Sequence, residues 1–384
     1  MRTDSSETTP LLLLTQGFAG DRLGACLAPA LRAQFPHRPL LGLGGARMAE
    51  AGVQLAARTD TLSAIGYSGL LPLLLPGLWA LRQTRQQLRR ELPAAVIAVD
   101  FWQPLALLHR VAPSLTTVPH ICYLPPAPNL IGAGRVHAAV ARVFHSTLTP
   151  FPHQERLFQG AGAAVFRAAH AGLELCRKEA TPLPAADRAP VLALLPGSRT
   201  LEIRYSLPEQ LEAARRISTH HPDLQPVVCC AGREAEALVQ RRHPGVRTSL
   251  GARATLAEAR FALVCSGTAV LEAAVLGCPG VMTYYGSALQ RWEWRRFHVP
   301  KLEELRRRGI ASPYIALPNI LHSAGVYPEA IGAAPAVVAE LALQQLEDDP
   351  ESLRAPLDAV TQSLAWNDAG TAVAERVAAA LAGE

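Results

Sequence analysis

Four consecutive leucines, Leu11-Leu12-Leu13-Leu14, are followed by a glycine-bearing turn, a helix-length segment over about 21–34, and a second apolar run at 40–43 that ends in Gly44-Gly45. Short, wholly apolar runs spaced in this way admit few folds. A strand that is apolar on both faces must be covered on both, and strands joined through helices pair in parallel by right-handed crossovers. The pattern continues with a run at 94–99 closed by Asp100 and another at 120–123. A stretch rich in Pro, Ala and charge at about 171–190 reads as a linker. A second series follows it, at 191–195, 225–230, 261–265 and 281–284, and from about 335 to the end the chain reads as wholly helical. At 384 residues the chain exceeds what one ordinary core serves. Two Rossmann-like α/β domains are the expectation, with ligands at the C-terminal ends of the strands.

Composition supports this class. Hydrophobic residues make up 49% and aromatics only 5%, so the core must be built from Ala, Leu and Val, which suits helices on parallel strands better than a β-sandwich. The net charge of +5 suits an anionic phosphate ligand or lipid headgroups. It is no nucleic-acid signature, because no dense Lys/Arg stripe interleaved with aromatics occurs. The basic clusters at 82–90 and 291–308 read in the first instance as solvated helix faces. Seven cysteines include no C-x-x-C and no His at metal spacing. They read as small hydrophobes in a reducing cytoplasm. The first ten residues lack the order of a signal peptide.

The uncharged stretch 61–81 raises the membrane question. It is long enough to span a bilayer, but Pro72, Pro76, Gly66, Gly69 and Gly77 make a poor continuous helix. Two readings stay open: a buried segment, or an apolar lip set in the bilayer interface beside Arg82, Arg85, Arg89 and Arg90.

Three strand-to-helix turns carry the chemistry. In Leu195-Pro196-Gly197-Ser198-Arg199, Ser198 is placed to cap a helix and Arg199 to meet a phosphate at its positive end. In Cys265-Ser266-Gly267-Thr268-Ala269, Gly267 lets backbone N–H groups approach a pyrophosphate, and Glu272 is placed to receive ribose hydroxyls. The third turn, Gln16-Gly17-Phe18-Ala19-Gly20-Asp21, is a weaker signal. An ordinary surface turn remains the alternative for each. Asp100, at a strand tip, is a candidate general base, with a helix cap as the alternative, and His120, His170 and His322 are candidate partners. No D-x-D pair is present to hold a metal.

The ordered set Gly20-Asp21, Gly45-x-Arg47-Met48, Val99-Asp100, Leu195-Pro196-Gly197-Ser198-Arg199, Ser266-Gly267-Thr268-Ala269 with Glu272, and Leu317-Pro318-Asn319 resembles the lipid-A-disaccharide synthase family over nearly the whole chain. The resemblance implies a GT-B fold with two Rossmann-like domains, their parallel sheets facing a central cleft. Residues 1–175 would be the acceptor and membrane-facing domain, 176–350 the UDP-sugar domain, and 351–384 helices packing back on the first. It implies an inverting transfer, without metal or cofactor, of an acylated glucosamine from a UDP-diacylglucosamine donor to 2,3-diacylglucosamine 1-phosphate. By motif, Asp100 is the base, and Gly197, Ser198, Arg199, Ser266, Gly267, Thr268, Glu272, Asn319 and Glu329 lie on the donor side. Gly20, Asp21 and Arg47 lie on the acceptor side. Leu70, Leu71, Leu74, Leu75, Leu78 and Trp79 occupy the place of a membrane-dipping patch, so the partners would be these two substrates and an anionic membrane surface on the cytoplasmic side, with a homodimer left open. The turn at 16–21 lacks the family's Glu, Thr and Ser, the segment 124–131 lacks its Trp pair and Arg, and Gly332 stands where the family has Gln. These departures keep three other readings open: a different lipid acceptor, a UDP-sugar epimerase or hydrolase, and a non-catalytic UDP-binding protein.

Overall fold

The computed structural model describes residues 8–59, 62, 74–100, 105, 108–110, 112–125, 133–307 and 312–384. The chain divides into two compact units, one made of Met1–Glu174 with Leu364–Glu384 and the other of Leu175–Ser363.

In the first unit seven strands form one sheet: β1 (Leu11–Leu14), β2 (Leu40–Gly44), β3 (Gln54–Arg58), β4 (Ala95–Val99), β5 (His120–Tyr123), β6 (Ser146–Thr149) and β7 (Val165–Arg167). Their spatial order is β3-β2-β1-β4-β5-β6-β7, and every pairing is parallel. The four leucines of β1 are all buried, and they divide between two cores by the two-residue period of a strand. Leu11 and Leu13 pack with Leu27, Leu31, Val373 and Val377 on one face. Leu12 and Leu14 pack with Ala80, Leu88 and Val140 on the other. That two-sided burial is why the run shows no polar alternation.

The second unit repeats the plan with β8 (Ala189–Leu195), β9 (Gln225–Cys230), β10 (Thr248–Leu250), β11 (Ala259–Cys265), β12 (Gly280–Tyr284) and β13 (Glu329–Ile331). The order is β10-β9-β8-β11-β12-β13, again parallel throughout. Leu192 and Leu194 pack on Ile203, Leu207, Ala214 and Ile217 of the helix Thr200–His220. In each sheet the strand order reverses direction once, between β1 and β4 and between β8 and β11, and ligands of such sheets bind beyond the carboxyl ends at that point.

Two expectations are corrected. The stretch at 171–190 begins with the helix Ala171–Glu179, whose Glu174 lies near the start and Arg177 and Lys178 near the end, complementing the helix dipole. The segment 351–384 does not return as one piece. The helix Pro350–Ser363 stays with the second unit, and only the helix Ala369–Ala382 belongs to the first. Asn367 Oδ1 accepts the Ala169 N–H (2.8 Å) and Glu174 accepts the Ala369 N–H (3.1 Å), which fastens the returning segment. All seven cysteines are free thiols, and six are buried. No helix of the described residues is long and apolar enough to cross a membrane.

Candidate functional site

In the first unit Asp100 follows β4 directly and is exposed. Its φ is +49°, a left-handed conformation that a non-glycine residue holds at a cost of about 1–2 kcal/mol. Its N–H donates to Tyr123 O (3.0 Å), which continues the ladder while turning the side chain out. Leu124, at the end of the adjacent β5, is left-handed too, with φ +57°. The sheet therefore holds two strained residues side by side at its carboxyl rim, next to the reversal point.

Asp21 is a different case. It is 2% exposed, and its carboxylate accepts the backbone N–H groups of Gly45 (2.6 Å), Arg47 (3.1 Å) and Met48 (3.1 Å). It thus caps the short helix Ala46–Glu50 from a neighbouring element, and this corrects its reading as an acceptor ligand. Gly20 packs closely on Thr15, whose Cβ would lie 3.2 Å from a methyl carbon placed there. Above this clamp Arg47 places its guanidinium 5.0 Å from the centre of the exposed Phe18 ring. Phe18 was not singled out from the sequence.

Two of the candidate histidines are buried core groups. His120 opens β5 at the end opposite to Asp100, with Nε2 2.9 Å from His109 Nε2. Burial pushes its pKa down to about 4, and His170 likewise. Both are neutral core groups. His322 lies in the other unit.

The second unit places two of the predicted turns on either side of its reversal point, at the ends of the paired strands β8 and β11. They differ in one respect. At the first, Gly197 has φ +112°, and a methyl group there would lie 2.6 Å from Glu202 Cβ. The glycine lets Glu202 fold back over the start of the helix Thr200–His220. Glu202 Oε2 accepts the N–H groups of Ser198 (2.9 Å) and Arg199 (3.1 Å), and its other oxygen pairs with the Arg199 guanidinium. The backbone donors expected to hold a phosphate here already serve a carboxylate. This corrects the amide reading of Ser198 and leaves the partly exposed Arg199 guanidinium as the cationic group of the turn.

At the second turn no side chain of the described residues plays this part. Gly267 has φ +144°, a methyl group on it would meet nothing within 4 Å, and no side chain caps the helix Thr268–Val275 that it begins. Ser266 continues the ladder through its N–H to Thr283 O (2.9 Å), while Gly267 and Thr268 are exposed. An open helix start that carries positive potential, with bare backbone facing solvent, can receive an anion. Gln210, buried beneath both turns, donates to Leu195 O (3.2 Å), Leu263 O (3.3 Å) and Thr283 Oγ1 (3.0 Å), tying three strands together at the rim. Burial also pushes the Tyr284 phenol, at the end of β12, up to about 12.

The remaining motif residues brace this rim. Glu272 accepts from Arg253 (3.1 Å), a buried guanidinium that also pairs with Glu179, so its carboxylate is held within the protein. Asn319 is buried and exchanges hydrogen bonds with the backbone of Tyr327 (2.7 and 2.8 Å), and it donates to Glu329 (2.9 Å). Glu329 accepts the N–H groups of Ile315 (2.9 Å) and Ala316 (2.8 Å). The Leu317-Pro318-Asn319 and Pro328-Glu329 motifs, separate in sequence, form one clamp. Sequence reasoning missed Glu202, Gln210 and Arg253. Only Glu202 left a trace, as a glutamate three residues into a helix that Arg199 opens.

Among the described residues no group of three His, Cys, Asp or Glu is gathered as a metal centre would need. In the helix Leu74–Arg90, Ala80, Thr84 and Leu88 face the core. Leu75 (79% exposed), Leu78 and Trp79 face solvent beside exposed Arg82, Arg85, Arg89 and Arg90. Leu70, Leu71 and the altered segment 126–131 lie outside the described residues, as does the side chain of Leu74.

A family model described as lipid-A-disaccharide synthetase matches residues 11–355. The chain belongs to the lipid-A-disaccharide synthetase family. It is 31% identical over 377 residues to the lipid-A-disaccharide synthase of Thiobacillus denitrificans, covering 95% of this chain and 96% of that one. It is 32% identical over 349 residues to that of Chromobacterium violaceum, covering 86% of each. Membership makes the chain a UDP-sugar glycosyltransferase of lipid A synthesis. Solved structures give the same GT-B fold. A Staphylococcus aureus MnaA–UDP structure superposes with a TM-score of 0.62 at 12% identity, covering 97% of this chain and 95% of that one. The glycosyltransferase of kitacinnamycin does so with a TM-score of 0.58 at 15% identity, covering 97% and 99%.

Proposed function

We propose that the chain transfers a diacylglucosamine unit from its UDP donor to the 6-hydroxyl of 2,3-diacylglucosamine 1-phosphate, with inversion at the anomeric carbon. The observation that carries this reading is the open helix start at Ser266–Thr268, beside a strand end that presents Arg199. There the diphosphate meets main-chain donors and one guanidinium, so leaving-group charge is stabilised without a metal ion. Asp100 takes the proton of the acceptor hydroxyl as its oxygen attacks the anomeric carbon. The bond from that carbon to the β-phosphate oxygen breaks, and UDP departs with the electron pair. Glu272, Asn319 and Glu329 act by shaping the donor rim, and Asp21 by holding the loop that carries Arg47. Arg47 is the cation offered to the acceptor phosphate. The first unit takes the acceptor and rests on the inner membrane face through Leu75, Leu78 and Trp79; the second takes the donor.

Two measurements test this. Calorimetry should show UDP binding to the full chain, and mass analysis should find the acylated disaccharide only when donor and acceptor are both supplied. Asp100→Asn should lower turnover about 10²–10⁴-fold while UDP still binds. A sugar product from donor alone, or unchanged turnover in that variant, overturns the scheme.

A further inference from the structure

Beyond the donor rim, the second unit carries an unusual exposed surface. The helix Ala288–Glu293 passes into a π-turn at Trp294–His298 and then into the helix Val299–Arg307. Leu289, Trp292 and Phe297 are 53%, 56% and 45% exposed. Residues five apart in an α-helix point to different sides. The wider spacing of the π-turn brings Phe297 back toward Trp292, and their rings meet edge to face with centroids 5.6 Å apart. Such turns sit frequently at functional sites. The cations share this surface. Arg291, Arg295 and Arg296 are exposed, and Arg296 lies 5.5 Å from the centre of the Phe297 ring. The one acid between Ala288 and His298, Glu293, is buried. The helix start is well defined, because Ser287 and Gln290 exchange hydrogen bonds (2.9 and 3.1 Å) in a capping box and Arg291 donates to Gly286 O (2.7 Å).

We propose that this face is a second membrane contact, which docks the donor-binding unit itself on an anionic lipid bilayer. Two observations choose lipid as the occupant. From Ala288 to His298 the exposed charge is wholly cationic and complements an anionic surface, the exposed Glu303 and Glu304 lying on the following helix with Glu304 paired to Arg307, and aromatic rings among arginines match the interfacial zone where such rings and apolar side chains settle. The same composition appears independently in the first unit, where Leu75, Leu78 and Trp79 adjoin Arg82, Arg85, Arg89 and Arg90. Each unit thus bears its own Trp-Leu-Arg face. The inference rests on the reading of the chain as an enzyme of acylated substrates, for which docking the donor unit shortens the path of acyl chains out of the bilayer.

The test is co-sedimentation of the full chain with vesicles of phosphatidylcholine, with and without phosphatidylglycerol, beside UDP calorimetry on the same proteins. Trp292→Ser/Phe297→Ser should lower the partition coefficient on mixed vesicles by about tenfold or more, from the apolar area withheld from the interface. Arg295→Gln/Arg296→Gln should lower it about thirtyfold on anionic vesicles, from about 1 kcal/mol per cation, and little on neutral ones. Trp292→Phe should restore most of the binding. UDP affinity should stay unchanged in all three, which also shows that the unit is folded. Wild-type partition in both double variants overturns the proposal. So does a change of oligomeric state without lipid, which would assign the face to a second copy. If the wild type ignores UDP yet partitions through this face, the sugar-transfer reading falls and the membrane contact stands.

Discussion

Asp21 offers the clearest separation of scaffold from chemistry. Its carboxylate receives three backbone N–H groups, of Gly45 and Met48 in the interior and of Arg47 at its edge. Asp21→Ala strands the two interior donors at about 1–3 kcal/mol each, while water can reach the third. The expected loss is about 4 kcal/mol in the first unit, or about 10 °C in its melting temperature for a unit of this size. Asp21→Asn keeps the shape and one acceptor oxygen but sets an amino group against a donor, and should lose about 1–2 kcal/mol. Scanning calorimetry reads the totals. Hydrogen exchange at Gly45, Arg47 and Met48 locates them, since those amides should lose protection first. The acceptor KM should rise, because Arg47 sits on the loosened loop, while kcat at saturating acceptor should fall only as far as folded protein is lost and UDP affinity should not move. If Asp21→Asn melts like the wild type while turnover drops by orders of magnitude, Asp21 touches the acceptor and the clamp argument is wrong.

Further predictions follow from other sites. Gly197→Ala puts a side chain at φ +112° against Glu202 and should destabilise the second unit by about 2–4 kcal/mol in urea unfolding; an unchanged midpoint would show that Glu202 does not close that turn. Burial holds His120, His153 and His170 at about 4 in the folded chain against 6.5 in the open chain, so the folded state binds fewer protons. Stability should be full above about pH 6.5 and fall as pH drops toward 4, and His120→Asn should flatten that fall in pH-dependent melts. With phosphate charge met by main-chain donors and Arg199, turnover should survive excess chelator, and a loss restored by a divalent ion would contradict the donor-side scheme.

Much of the architecture was legible because it depends on local pattern. Apolar runs such as 11–14, 225–230 and 261–265 declare strands covered on both faces, and the turns that close β1, β8 and β11 follow from where Gly, Ser and Asp interrupt them. Five strands escaped notice because they are short, polar or half-exposed. Ser146–Thr149 carries three hydroxyls yet is buried throughout, Gln54–Arg58 is polar at both ends with only Ala57 buried, and Val165–Arg167, Thr248–Leu250 and Glu329–Ile331 have three residues each.

The order of motifs along the chain sufficed for the family, and the apolar rhythm for two parallel sheets. What each polar motif residue does was decided only by the tertiary structure. Asp21 meets Gly45, Glu272 meets Arg253, and Asn319 meets Tyr327 and Glu329. None of these pairs shares a helical turn or a strand. A carboxylate or amide is a ligand group or an internal brace according to which donors packing brings to it, and packing is set by contacts that no local spacing encodes. The same reason explains the return of the helix Ala369–Ala382 to the first unit, and the basic cluster near Trp292, where a π-turn rather than any sequence period gathers the rings on one side.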